Sequence, residues 1–475
     1  MVFSSNVFLF LFLPLFLALY YACPRRGRNV VILVGSYVFY AWWRVDFLLL
    51  FVAVTAWNFG MGRAIAARLG DRDRARRWLA TGVAGDLAVL GYFKYAGFGV
   101  DSLNALLQLS GSAPITPLEI ILPIGISFYV FQAISYLVDV YRRDVEASRD
   151  PVGFAAFIAL FPQLIAGPVL RYKDVADQFY RRQHSVELFA LGATRFMQGF
   201  IKKVFIADTI APIADAAFAL ENPSTADAWI GALAYTAQLY FDFSGYSDMA
   251  IGLGLMIGFR FVENFNQPYV SQSITEFWRR WHISLSNWLR DYLYVPLGGN
   301  RHGTLRTYRN LMLTMLLGGL WHGANWTFVV WGAWHGAWLA IERMLGVKAN
   351  ARGFSVGRWG FTFLLVIFGW VLFRAPDLSV ATTFMSAMLG VGGNAPSADL
   401  AAQLTGLQLG MLVVAYLVIV IAGTRVRQRE TGARPQGPTL VLERPLLHAL
   451  VLPLFALAVL RLAAQSYSPF LYFQF

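Results

Sequence analysis

The residue best suited to chemistry in this chain is a histidine set among glycines and aromatic rings. It stands in the run Gly318-Gly319-Leu320-Trp321-His322-Gly323-Ala324-Asn325-Trp326. An ionisable side chain inside an apolar stretch is costly, so His322 is expected to face a cavity or a partner group. An imidazole titrates near neutrality and is a natural proton acceptor. The glycines remove side-chain bulk and let a substrate or another backbone approach closely. A histidine merely packed and hydrogen-bonded between helices is the alternative, and the glycine-rich aromatic setting favours function.

A second run, from Phe277-Trp278-Arg279-Arg280-Trp281-His282 to Tyr294, carries a second histidine. On one helix Trp278, Trp281, His282, Leu285, Trp288, Leu289 and Tyr292 recur at three- and four-residue steps and make one broad aromatic face. Arg279, Arg280 and Arg290 then fall on or beside the wet side. An amphipathic helix lying in the headgroup layer accounts for that pattern. The functional reading adds a histidine aimed at the membrane interior and a basic rim for a phosphorylated donor, for which coenzyme A would be suited.

Asp242 and Asp248 stand with Ser244 and Ser247 in an otherwise apolar stretch. Such carboxylates either anchor a structure through ion pairs or couple ions in a transporter. His335 follows His322 by thirteen residues. On a continuous helix that is roughly 220° of rotation, so it points elsewhere unless Gly323 breaks the helix. His184 follows a basic loop, His302 sits in a polar turn and His448 begins a terminal helix. No His-Glu-x-x-His metal spacing, Walker or Rossmann glycine loop, or Gly-x-Ser-x-Gly elbow occurs.

The elements that hold these residues are membrane helices. Of 475 residues, 57% are hydrophobic and only 14% charged, with a mean hydropathy of +0.53. That composition belongs to the membrane class. Apolar runs such as Val7–Tyr21, Phe47–Ala66, Leu79–Phe98, Leu118–Val140, Phe361–Phe373, Leu407–Ile421 and Leu446–Leu460 approach the length of a crossing, about 20 residues. Alternating strands are absent, so the expected class is an all-α polytopic membrane protein of about 11–12 crossings plus re-entrant and interfacial pieces. Phe154–Leu170, broken by Pro162, Gly167 and Pro168, is the expected re-entrant segment and a candidate cavity wall. A lone cysteine, Cys23, excludes a disulfide framework.

The net charge of +12 resolves into topology rather than a nucleic-acid surface. Arg25, Arg26 and Arg28, then Arg68 to Arg77, then Arg142, Arg143 and Arg149 alternate with segments poor in Lys and Arg, the positive-inside pattern. Arg425, Arg427, Arg429 and Arg434 mark another cytoplasmic loop. One membrane domain is expected over residues 1–475, with N-terminal helices to 140, a catalytic core over 141–374 and C-terminal helices over 375–475. The outer loops at 99–117 and 374–404 are natural docking places for a periplasmic partner.

Three blocks, Tyr240 to Met249, Phe277 to Arg301 and Trp321-His322-Gly323, resemble in order and spacing those of the membrane-bound O-acyltransferases, and within them the bacterial subunits that O-acetylate alginate. Relatives acting on other envelope polymers share the same core. The resemblance implies a ring of tilted helices around a funnel and tunnel. It implies His322 as the essential catalytic histidine and His282 as the second marked position. It also implies acetyl-coenzyme A as donor substrate, with no bound cofactor and no metal. Further, it implies an inner-membrane location, a periplasmic acetylesterase-like partner and a polysaccharide-synthesis complex. On that reading Arg279, Arg280, Arg290 and Arg301 hold donor phosphates, and Trp278, Trp321, Asn325 and Asp242 line the substrate. Direct transfer and an acetyl-histidine intermediate both remain open. The rival class is an ion-coupled transporter or export channel, which paired inverted repeats would favour; none is visible.

Overall fold

The computed structural model describes residues 1–117, 119–347, 353–431 and 445–464. Among these every regular element is helical, with no strand, so the all-α expectation holds. Leu118 and Arg434 lie outside the described residues, as do the side chains of Arg425, Arg427, Arg429 and His448.

Three helices, Asp46–Ala66, Val356–Arg374 and the first part of Gly406–Thr431, are long and apolar enough to cross a membrane by length and composition alone. The others owe less to apolarity because protein covers them. Thr225–Met256 runs 32 residues, about 48 Å at 1.5 Å per residue, and nearly all of it is buried. It can therefore carry Asp242, Ser244, Ser247 and Asp248 where a lipid-facing helix cannot.

The chain forms two compact units, one of Met1–Ala193 with Ala250–Val262, the other of Thr194–Met249 with the chain from Glu263 onward. In the first unit the basic loops read as cytoplasmic make local contacts with neighbouring segments. Arg72 donates to the Tyr141 carbonyl at 2.8 Å and Arg143 to that of Leu69 at 2.8 Å. Arg182 donates to Asn29 at 2.7 Å, beside Arg28. The broken segment is real: Pro151–Ala159 stops, Phe161–Leu164 makes one turn, and the irregular chain beyond it to Leu170 is fully buried. The freed Phe161 N–H donates to Ser36 Oγ at 3.1 Å, which is how non-helical backbone is satisfied away from water.

In the second unit Thr225–Met256 crosses the widened π-helical turn Ile201–Ala207 and the helix before it. The crossing is glycine on glycine. A Cβ on Gly245 would lie 2.7 Å from the Gly199 carbonyl oxygen, and one on Gly199 would meet the Gly245 carbonyl. The outer loop at 374–404 contains two unforeseen helices, Leu378–Met388 and Ala398–Gln403. They are fixed by Phe384 stacking on Phe218 at 4.0 Å and by Asp227 accepting from the Ser397 N–H at 3.0 Å. The other, at 99–117, begins as the helix Ala96–Leu109.

Candidate active site

The helix Thr304–His322 ends on the histidine itself, and Gly323 is extended (φ −157°). Asn325 starts the next helix, Trp326–Met344: its Oδ1 accepts from the Thr327 N–H at 3.0 Å, a side-chain cap. Its Nδ2 donates to the Pro376 carbonyl at 2.8 Å. The two helices fold back as a hairpin whose seam is glycine. A Cβ on Gly319 would strike the Phe328 carbonyl, one on Gly332 the Met315 carbonyl, and one on Gly336 would sit 2.9 Å from Met312 Sδ. Gly323 does break the helix. His322 therefore sits at a buried helix terminus rather than in mid-span, and His335 lies further along the returning helix, sharing Trp331 with it.

The stretch around His282 departs from expectation. It is two short helices, Ile274–Arg280 and Ile283–Leu289, followed by a π-helical turn over Arg290–Tyr294. His282 occupies the break in a left-handed conformation (φ 43°, ψ 54°), which costs a non-glycine residue roughly 1–2 kcal/mol. Its neighbours hold it there. The Ile283 N–H donates to the Asn264 carbonyl at 2.9 Å, and Ser284 Oγ donates to Asn264 Oδ1 at 2.8 Å. The segment is thus a kinked, buried piece, not one amphipathic helix in the headgroup layer; an aromatic stripe reads the same whether lipid or protein covers it. Arg280 likewise leaves the wet rim. It is buried and donates to Glu276 at 3.0 Å and to the Asn266 carbonyl at 3.2 Å.

These two breaks bring together histidines forty residues apart in sequence, with ring centroids 6.4 Å apart. His322 touches Trp321 at 4.9 Å, Trp331 at 5.1 Å and Phe373 at 5.2 Å. His282 lies edge-on to Phe243 at 4.7 Å and 6.2 Å from Trp321. It is 0% exposed, and among the described residues neither of its ring nitrogens has a hydrogen-bond partner. A buried polar group left unsatisfied costs about 1–3 kcal/mol, and a pair of them on one ring asks for a reason. His335 repeats the pattern one layer away, fully buried with both nitrogens unpartnered, 5.0 Å from Trp331 and 5.2 Å from Trp278.

The remaining expected residues fall into two groups. Asp242 meets Lys203 at 2.9 Å, which also meets Asp208 at 2.6 Å. Asp248 meets Arg195 at 2.9 Å and Lys202 at 2.6 Å. Both carboxylates are thus ion-paired anchors between helices, the structural reading. Arg279, Arg290 and Arg301 are exposed, with Arg290 paired to Asp291 at 2.7 Å. Trp278 and Trp321 line the histidine layers. Phe243, Trp331 and Phe373, which wall the pair, were not among the expected site residues; they look like ordinary membrane-helix aromatics, and no local signal marks them. Among the described residues no cluster of acidic, histidine or cysteine side chains could hold a metal.

A pair of buried histidines, carried on broken helices in an all-helical membrane chain, defines a class. The membrane-bound O-acyltransferase family matches residues 146–375, and the chain belongs to that family. It is 61% identical to the probable alginate O-acetylase AlgI of Pseudomonas putida and 62% identical to that of Azotobacter vinelandii, over 100% of both chains in each case. It is 36% identical to the peptidoglycan O-acetyltransferase of Helicobacter pylori, over 83% of this chain and 80% of that one. The protein is accordingly a membrane O-acetyltransferase, and the transporter alternative falls.

Proposed function

We propose that this protein takes acetyl from cytoplasmic acetyl-coenzyme A and passes it across the bacterial inner membrane for O-acetylation of an exopolysaccharide, alginate. The observation that carries the site assignment is the approach of His282 and His322 within one aromatic enclosure. The alginate acceptor is supported by the relatives' names. A periplasmic acetylesterase-like protein receives the group first, within a polysaccharide-synthesis complex.

Acetyl-coenzyme A enters from the basic cytoplasmic face, its phosphates on Arg279, Arg290 and Arg301; Arg280, tied to Glu276, shapes the floor beneath them. The His322 imidazole takes the proton of the acceptor hydroxyl as that oxygen attacks the thioester carbonyl carbon. The carbon–sulfur bond then breaks, and the leaving thiolate receives the proton from His322. General-base catalysis of this kind is worth about 10²–10⁴-fold. His282 donates a hydrogen bond toward the thioester carbonyl, where negative charge develops. Trp278 and Trp321 shape the tunnel, Asn325 holds the turn that presents His322, and Asp242 fixes the helix behind it.

The test is protein in sealed vesicles with radiolabelled acetyl-coenzyme A on the cytoplasmic side and a periplasmic acceptor protein on the other. Label on the acceptor with stoichiometric coenzyme A release is the expected result. Coenzyme A release without label crossing would refute transmembrane transfer.

A further inference from the structure

Within the second unit lies a cavity of about 220 Å³ that neither histidine lines. Residues 195–206, the middle of Thr225–Met256 and the segment Glu263–Gln267 form one wall. Val418, Leu450, Val451 and Leu454 form the other. The charges on the polar wall are already matched: Arg195 pairs with Asp248 and Glu263, and Lys202 with Asp248. Two cations face two carboxylates, which leaves no net charge to attract an anion.

Other polar groups on that wall are unmatched. Gln198 Nε2, Asn264 Nδ2, Ser244 Oγ and Ser247 Oγ are buried without a hydrogen-bond partner among the described residues, and all four residues line the cavity. Their exposures are 8, 1, 2 and 2%. Buried groups of this kind are normally satisfied. Here they ask for acceptor oxygens and a hydroxyl-compatible partner, not for charge.

The opposite wall says where such a partner comes from. Leu450 lines the cavity yet is 53% exposed, and Leu452, Leu457 and Leu460 of the same helix are more than half exposed. In a membrane protein that outer face meets hydrocarbon. The cavity is therefore polar on its inner side and reaches the lipid on its apolar side.

We propose that this cavity holds the glycerol–ester segment of a membrane phospholipid. Its ester oxygens accept from Gln198 and Asn264 and contact the two serines, and its chains run over Leu450 and Leu454 into the bilayer. Because the lining charge is balanced, a zwitterionic lipid fits better than an anionic one.

The test is native mass spectrometry of the whole chain released from phosphatidylethanolamine and from phosphatidylglycerol nanodiscs, with folding followed by thermal unfolding. Wild type should keep one phosphatidylethanolamine, at several-fold higher occupancy than phosphatidylglycerol. L454W, which fills the cavity, should lose it, whereas L452W on the outer face of the same helix should not. Should L454W fail to fold, Q198L, which removes one donor and adds little bulk, should lower the retained fraction several-fold. Three results would overturn the proposal: no retained lipid in wild type, retention unchanged in both cavity variants, or displacement of the lipid by coenzyme A. The last would assign the cavity to the acetyl donor.

Discussion

His282 combines three unfavourable properties: complete burial, a left-handed backbone, and two unused ring nitrogens. Stability alone would not select such a residue, so its replacement should separate stability from activity. H282F keeps a planar aromatic ring, slightly larger than the imidazole, and removes the unsatisfied nitrogens. Its thermal unfolding midpoint should stay or rise, since each orphaned group costs about 1–3 kcal/mol, while acetyl transfer collapses; a drop in both would make His282 structural. His184 gives a residue-scale test of another kind. Its Nε2 faces Arg28 Nη1 at 3.0 Å and the Tyr20 hydroxyl at 2.9 Å. A guanidinium can only donate, so that nitrogen accepts and the ring is neutral. Burial first, then Arg28, Arg182 and Arg25, hold its pKa below the ordinary value. A depressed histidine leaves stability intact above the unfolded value, about 6.5. Stability then falls as pH drops below it, because only the unfolded chain takes the proton. Thermal unfolding between neutral and mildly acidic pH should show that slope, and H184Q should flatten it. The difference between wild type and variant isolates His184.

Elements, more than single residues, decide where the site forms. Three interruptions do this: the end of Thr304–His322, the break at Trp281-His282, and the widened turn Ile201–Ala207 that aims Lys202 and Lys203 at different carboxylates. The glycine crossing between Gly199 and Gly245 sets the last of these against the long helix. G245L should therefore cost more than the roughly 1–3 kcal/mol of ordinary overpacking, because its obstacle is backbone. Reduced folded yield, with G245A milder, is the outcome to measure; wild-type yield for G245L would contradict the crossing. Much at this scale was legible in the sequence. The helices Asp46–Ala66 and Val356–Arg374 and the first part of Gly406–Thr431 follow from the apolar runs Phe47–Ala66, Phe361–Phe373 and Leu407–Ile421, and the interruption within Phe154–Leu170 from Pro162 and Gly167. What was not legible has a common cause. Periodicity assumes a continuous helix, so the Phe277–Tyr294 stretch read as one interfacial helix and Arg280 as part of its wet face. The aromatic wall of Phe243, Trp331 and Phe373 comes from three distant segments, and no local pattern announces such convergence. The helices within 374–404 are held by Asp227 and Phe218, far away in sequence.

At the scale of the whole molecule, charge sets orientation. Basic residues of the first unit tie their loops together, Arg72 to Tyr141, Arg143 to Leu69 and Arg182 to Asn29, and the positive-inside rule predicts that these loops face the cytoplasm. Cys23, the only cysteine, lies two residues before Arg25. A membrane-impermeant thiol reagent should label it in inverted vesicles and not in spheroplasts. In a C23S background, S112C in the outer loop should show the reverse, and the opposite pair of results would invert the topology.

Transfer at the histidine pair is tested most directly by coenzyme A release and acceptor labelling with purified wild type, H322A and H282A in vesicles with radiolabelled acetyl-coenzyme A. The prediction is that H322A unfolds at the wild-type temperature and loses at least about 10²-fold of the transfer rate, the lower end of what a general base supplies. A folded H322A that transfers acetyl within about twofold of wild type would contradict it, since that is far below any general-base contribution, and would move the reaction centre away from His322.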